Sequence, residues 1–256
     1  MFFVFNKQKI YTYLLSVLTV IVLLFIGSTT INDEESIETS SSTNKLLPIY
    51  SVQTEKKEIA LTINCAWNDS DIDKIIEVLK SNNVKATFFM VGDWVEKYPE
   101  AVKKINQEGH EIGSHSDTHP HVNQLSSEEN LEEIKTSSKK IEQITNKKVT
   151  LYRPPYGEYN NTVIKVANEN SYIPIQWSLD TLDYTGITGN EMWNKIKDKI
   201  SNGDIILMHN GTEHTADSLD MIIKNIKEKG FNLVTVSDLI YKENYSIDVN
   251  GKQIQN

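Results

Sequence analysis

Two histidines four residues apart, His115 and His119, stand in the stretch Gly113-Ser114-His115-Ser116-Asp117-Thr118-His119-Pro120. On one turn of helix, positions i and i+4 share a face, so this spacing lets both imidazoles reach a single ion. Imidazole is the commonest protein ligand for zinc and similar divalent metals, and zinc is the ion expected here. A surface turn that happens to carry two histidines is the alternative. Further along the chain come other groups able to do chemistry: Arg153 in Arg153-Pro154-Pro155-Tyr156-Gly157, Asp180 and Asp183 in Asp180-Thr181-Leu182-Asp183-Tyr184, and His209 in Leu207-Met208-His209. Singly, each has a plain structural role, as a helix cap, a turn or a satisfied core histidine. Their recurrence at the ends of apolar runs points to one site.

Those runs are the elements that must position them. Strand-like segments are expected at 59–64, 86–91, 111–114, 151–153, 173–179, 204–209 and 232–236. They alternate with helical patterns at 71–81, 99–108, 128–145, 162–170, 191–201 and 218–229. The 3.6-residue period is clearest from Asp71 to Leu79, and Asn83, Gly109, Gly203 and Gly230 fall where helix C-caps belong. Repeated β-then-α units imply a parallel sheet, and about seven of them imply an α/β fold of the distorted (β/α) barrel type, closed or nearly so. In such a barrel the chemistry gathers at the C-terminal strand ends, where these polar residues lie.

The rest of the chain frames this domain. Its 256 residues carry a formal net charge of -9, which argues against nucleic acid as a partner. Cys65 is the single cysteine, so no disulfide forms within the chain. Residues 10–27 are an uncharged apolar run after Lys7 and Lys9, about long enough to cross a hydrocarbon core of roughly 30 Å. Lysines before the run and acids after it place residues 1–9 in the cytoplasm and the remainder outside, anchored to the membrane through an N-terminal helix. A cleaved signal peptide is the competing assignment, although Gly27-Ser28 makes a poor cleavage site. Residues 28–57 read as a polar tether, 58–241 as the folded domain and 242–256 as a frayed polar tail.

From about Lys57 to Tyr241 the chain resembles the polysaccharide deacetylases of carbohydrate esterase family 4, the NodB-homology group, and within it the membrane-anchored, sporulation-associated branch. Its H-S-x-x-H motif is present as His115 to His119, R-x-P-Y-G as Arg153 to Gly157 and L-x-H as Leu207 to His209. D-x-x-D-W appears as Asp180 to Asp183, with Tyr184 replacing the tryptophan. The first motif departs: where the family reads T-F-D-D-G, with a base and then a metal ligand, this chain has Thr62-Ile63-Asn64-Cys65-Ala66. An asparagine amide is not a base. For the third ligand two candidates stand, Cys65 as a thiolate with a zinc–sulfur bond of about 2.3 Å, or Asp69 (with Asp71 nearby) folding back from the next loop.

The resemblance implies metal-assisted removal of N-acetyl groups from a GlcNAc-type glycan of the cell envelope, peptidoglycan or a related polymer. By the same resemblance His115 and His119 hold the ion, the Tyr156 N–H faces the oxyanion, and His209 with Asp183 protonates the departing amine. Arg153, having lost an aspartate at 64, turns to Asp180. Leu207 and Trp177 line the pocket, Trp177 also packing in the core. Two functions follow: a cell-envelope deacetylase, or a deacetylase-like protein that binds glycan or an envelope partner and has lost turnover.

Overall fold

The computed structural model describes Val17, Leu18 and residues 45–256. Val17 and Leu18 are helical; the rest of the expected anchor and most of the tether lie outside the described residues. Among the described residues, no helix is long and apolar enough to cross a membrane.

Eight parallel strands form the central sheet. They are β2 (Glu58–Cys65), β3 (Thr87–Met90), β4 (Glu111–Ser114), β5 (Leu151–Tyr152), β6 (Ile173–Pro174), β7 (Leu179–Asp180), β8 (Ile205–His209) and β9 (Asn232–Val234). Seven run in the order β6-β5-β4-β3-β2-β8-β7, and β9 pairs with the start of β2. The result is a half-barrel rather than a closed one, because the expected strand 173–179 divides in two. Its ends become the two edge strands of the sheet. The ladder with β5 ends after the Ile175 N–H donates to the Tyr152 carbonyl at 2.8 Å. The Gln176 N–H turns instead to the carbonyl of Ile49 at 2.7 Å, and that of Ser178 to Ile205 at 3.0 Å.

Side chains alternate across each strand, and this sorts the chain into two layers. Ile59, Leu61, Ile63 and Cys65 of β2, with Phe88, Met90, Ile206 and Met208, face outward into the main core. That core is covered by helices α1 (Ile72–Ser81), α2 (Gly92–Lys97), α3 (Pro99–Gln107), α4 (Ser127–Thr145), α6 (Gly189–Ile196) and α7 (Thr215–Glu228), while α5 (Asn161–Glu169) packs Val163 and Ala167 in a smaller cluster with Ile134 of α4 and Tyr152. The inner face carries Ala60, Phe89, Leu151 and Ile205, packed on α8 (Val236–Leu239). Here Val236, expected to end the last strand, begins a helix: Thr235 caps it by accepting from the Asp238 N–H. The positions read as helix stops do take left-handed backbone, with φ of +51° at Asn83 and +76° at Gly109.

Both proposed ends of the domain need correction. The tether gives way to structure before residue 57: Ile49 and Val52 are buried, and Ser51–Val52 forms a strand, β1. The tail is not frayed. Tyr245–Ile247 (β10) and Lys252–Gln255 (β11) make a hairpin that pairs with β1. Its turn carries Asn250-Gly251, a hairpin signal overlooked beneath the polar composition. The buried Gln253 amide clasps Tyr241, accepting from its N–H at 2.8 Å and donating to its carbonyl at 2.7 Å.

At the lower end of the sheet His110 is buried against the Phe88 ring and accepts from the Ala86 N–H at 3.2 Å. Burial, aided by the nearby Lys85 cation, pushes its pKa down to about 4. An unfolded chain takes up that proton near pH 6.5. The unfolded state therefore binds more protons between these values, and stability falls as pH drops from about 6.5 to about 4. Urea midpoints should decline across this window and decline less in His110→Gln; parallel profiles for the two proteins would show that His110 contributes nothing.

Candidate functional site

The C-terminal strand ends enclose a cavity of about 470 Å³ lined by Asn64, His115, His119, Tyr156, Trp177, Asp180, Leu207 and His209, with Trp67 and Tyr184 at its mouth. Strand register explains the convergence. β2 and β8 pair Asn64 with His209 and Thr62 with Leu207, so all four side chains lie on the inner face. Beside β3, Gly113 of β4 lies against Phe89: a Cβ there would come within 2.7 Å of the ring. That bare position lets Phe89 lie flat under the Arg153 guanidinium, 4.1 Å from ring centre to Cζ.

The histidine pair is not helical. The loop after β4 turns through left-handed residues, with φ of +65° at Ser116 and +58° at His119. These bring the two rings edge to face, 4.9 Å apart. A residue not singled out in the sequence holds this loop: the Glu133 carboxylate on α4 accepts from the N–H groups of Asp117 and Thr118 at 2.8 and 2.9 Å. A second overlooked residue, His121, stacks on Tyr156 with ring centres 4.5 Å apart. Tyr156 itself takes left-handed backbone, φ +58°, at the cavity edge.

Two hydrogen-bonded networks meet at the cavity. In the first, buried Arg153 donates through Nη1 to Thr62 Oγ1 at 2.8 Å and Asn64 Oδ1 at 2.9 Å, and through Nη2 to the Gln176 carbonyl at 3.0 Å. Burial pushes the guanidinium down to about 9, so it stays charged at neutral pH. Arginine only donates, which fixes the Asn64 amide with its nitrogen turned away, 3.2 Å from His115 Nε2. On the other side of the ring, His115 Nδ1 donates to the Arg153 carbonyl at 2.7 Å. Burial holds the His115 pKa well below its ordinary value, so the ring is neutral and its Nε2 lone pair accepts from Asn64. In the second network His209 Nδ1 meets Asp183 Oδ1 at 2.8 Å. The other Asp183 oxygen accepts from the His209 N–H at 2.6 Å and Thr215 Oγ1 at 2.7 Å. This leaves His209 Nε2 as the ring nitrogen available to the cavity.

The expected switch of Arg153 to Asp180 does not occur. Arg153 keeps Asn64, while Asp180 accepts from the Leu182 N–H at 2.8 Å. Among the described residues Asp180 is nonetheless the one carboxylate lining the cavity, and burial raises its pKa.

A divalent ion requires a third donor beside the histidines, and neither candidate supplies it. Cys65 has the opposite strand parity to Asn64, is fully buried in the outer core, and burial holds its thiol well above the ordinary range. Asp69 does not line the cavity; its carbonyl accepts from the Ile72 N–H at the start of α1. The Asp71 carboxylate is occupied by the Gly211 N–H at 2.8 Å and Asn210 Nδ2 at 3.2 Å. Among the described residues no three His, Cys, Asp or Glu side chains converge to hold an ion. With the His115 lone pair engaged by Asn64, the donors present do not fit a three-ligand metal centre.

The polysaccharide deacetylase family model matches residues 51–175. A peptidoglycan-N-acetylglucosamine deacetylase of Bacillus cereus is 33% identical over 75% of this chain and 92% of its own length. The chain belongs to the polysaccharide deacetylase family. The uncharacterized protein YlxY of Bacillus subtilis is 37% identical over 75% of this chain, which spans only 60% of YlxY. Among solved structures, a carbohydrate esterase family 4 pseudoenzyme from Bacillus anthracis superposes with a TM-score of 0.73 at 34% identity, covering 82% of this chain and 73% of that one. A mutant of that pseudoenzyme with restored enzymatic activity gives the same TM-score at 36% identity, covering 75% and 70%. The chemistry associated with deacetylases of this family is hydrolysis of carbon–nitrogen bonds, and all five motif segments quoted from the sequence, the divergent first one included, border the same cavity here.

Proposed function

We propose that this chain is a deacetylase-fold protein that binds N-acetylated cell-envelope glycan of the peptidoglycan class, its turnover lost at Asn64 and Cys65. One observation carries this: the amide of Asn64, bonded to Arg153 and His115, occupies the position of the family's base. An amide cannot take a proton from water, and a positioned base contributes about 10²–10⁴-fold in rate. The cavity remains suited to an acetamido sugar. Leu207 and Trp177 offer apolar wall for a methyl group, and His209, oriented by Asp183, offers a hydrogen-bonding nitrogen. Relatives named as peptidoglycan deacetylases support the choice of glycan, and the family pseudoenzyme supports loss of turnover. The domain works outside the cytoplasm in this proposal, tethered through the apolar run 10–27, and should sediment with membranes after alkaline carbonate washing.

A second reading, slow hydrolysis, is favoured by one observation, the half-buried Asp180 carboxylate lining the cavity, whose pKa desolvation raises. Trp67 and Trp177 border the cavity, so intrinsic fluorescence serves as the binding signal. The full-length protein should show saturable binding of an N-acetylglucosamine oligomer with no acetate released over many hours. Repeated turnover that disappears in Asp180→Asn would establish the enzyme reading instead.

A further inference from the structure

Three aromatic rings at the cavity mouth are too exposed to be core: Tyr156 at 58%, Trp67 at 48% and Tyr184 at 48%. Trp67 and Tyr184 flank His209, with ring centres 5.4 and 5.3 Å from the imidazole. They also border a second depression, of about 570 Å³, formed by the loops after β2, β7 and β8. The two depressions therefore share Trp67 and Tyr184 as a common wall.

The second depression is built rather than loose. Asn68 of one loop and Gly211 of the facing loop both border it. Asp71 ties them, its carboxylate accepting from the Gly211 N–H at 2.8 Å and from Asn210 Nδ2 at 3.2 Å. Asn210 Nδ2 in turn donates to the Asn68 carbonyl, as does Trp94 Nε1 at 3.4 Å. These bonds hold the chain just after Trp67, and β2, ending at Cys65, holds it just before, so presenting the ring to a ligand costs little ordering entropy. The depression itself offers amide and hydroxyl groups, from Asn68 and Thr212.

We propose that Trp67 and Tyr184 form a saddle across which a linear amino-sugar chain lies, one acetamido sugar in the cavity and the adjoining sugar in the second depression. The proposal rests on the glycan-binding reading above. A pyranose ring presents an apolar C–H face and a rim of hydroxyls. Half-exposed aromatic faces beside fixed polar groups match that pattern, as amphipathic rings do at other binding surfaces. The ligand recognised is thus an oligomer of at least two sugars rather than a free monosaccharide, and Trp67 is the residue that reads its length.

Calorimetric titration of the full-length protein with chitin-type oligomers of one to four sugars tests this. Affinity should rise about tenfold or more between one sugar and three, then level off. Trp67→Ala should cost the trimer about tenfold while affecting the monomer much less, and Trp67→Phe should recover most of the loss. Thermal melts of both variants exclude a folding defect. Equal affinity at every length, or an equal loss for monomer and trimer in Trp67→Ala, would overturn the saddle and leave the pocket reading standing. Absence of binding at any length would overturn the pocket reading itself.

Discussion

In the double variant Asn64→Asp/Cys65→Asp, acetate release from an N-acetylglucosamine oligomer, with a divalent metal supplied, should exceed that of the unmodified protein by at least about 100-fold. The first substitution does two things. It places a carboxylate 2.9 Å from Arg153 Nη1, which holds it ionised. It also removes the amide donor 3.2 Å from His115 Nε2 and so frees that lone pair. The second substitution supplies the missing third donor. Cys65 is the last residue of β2, next to the loop that carries Trp67, and a carboxylate left among Ile63, Met90 and Met208 would be strongly penalised. That penalty drives the new side chain towards the histidines. Asn64→Asp alone should yield much less, because a base without a third ligand acts on no activated water. Adding His209→Ala should remove most of the gain if His209, held by Asp183 at 2.8 Å, protonates the departing amine as the family resemblance implies. A double variant that melts normally, binds metal and releases no acetate would mean that the cavity itself has diverged.

Arg153→Met should destabilise the fold by about 3–5 kcal/mol, the largest effect expected of any single substitution at the site. Arg153 is fully buried and, from just after β5, ties Thr62 and Asn64 on β2 to the carbonyl of Gln176 in the segment between β6 and β7. Methionine fills much of the volume against Phe89 but donates nothing, leaving Asn64 Oδ1 and the Gln176 carbonyl unpartnered in a buried setting. Such groups cost about 1–3 kcal/mol each. Urea unfolding checks the value, and a loss below about 1 kcal/mol would show that water replaces the guanidinium. The same substitution made together with Asn64→Asp should be worse still, because it buries a carboxylate without its cation. Arg153 is therefore a structural cross-link as well as a site residue, which accounts for its place here without a carboxylate partner.

Most of the strand and helix order was legible because it rests on local periodicity. β2 alternates outward Ile59, Leu61 and Ile63 with inward Ala60, Thr62 and Asn64, and α1 repeats its apolar residues at helical spacing. Where local pattern failed, a single residue or a distant partner decided. Distant partners for Gln176 and Ser178, the carbonyls of Ile49 and Ile205, split an apparently continuous strand, and Gln253 ordered a tail whose composition is that of a frayed terminus. Glu133 and His121 carried no signal at all, since one ordinary glutamate on a helix and one loop histidine look like many others.

The sequence by itself determined the family, the α/β order, and the residues that gather at the strand ends, because motif spacing and strand parity are properties of the chain. Parity alone also placed Cys65 opposite Asn64 on β2, a consequence that the motif comparison hid. What only the tertiary structure decided is which groups meet. Asn64 turns its nitrogen to His115 because Arg153, a donor fixed from another strand, claims its oxygen. Asp180 stays apart from Arg153 because a backbone N–H two residues on already holds it. Trp67 and Tyr184 stand at one wall because loops 117 residues apart in the chain lie side by side above β2 and β8. Hydrogen-bond partners and shared walls are fixed by three-dimensional register between distant segments, and no period in the chain encodes them.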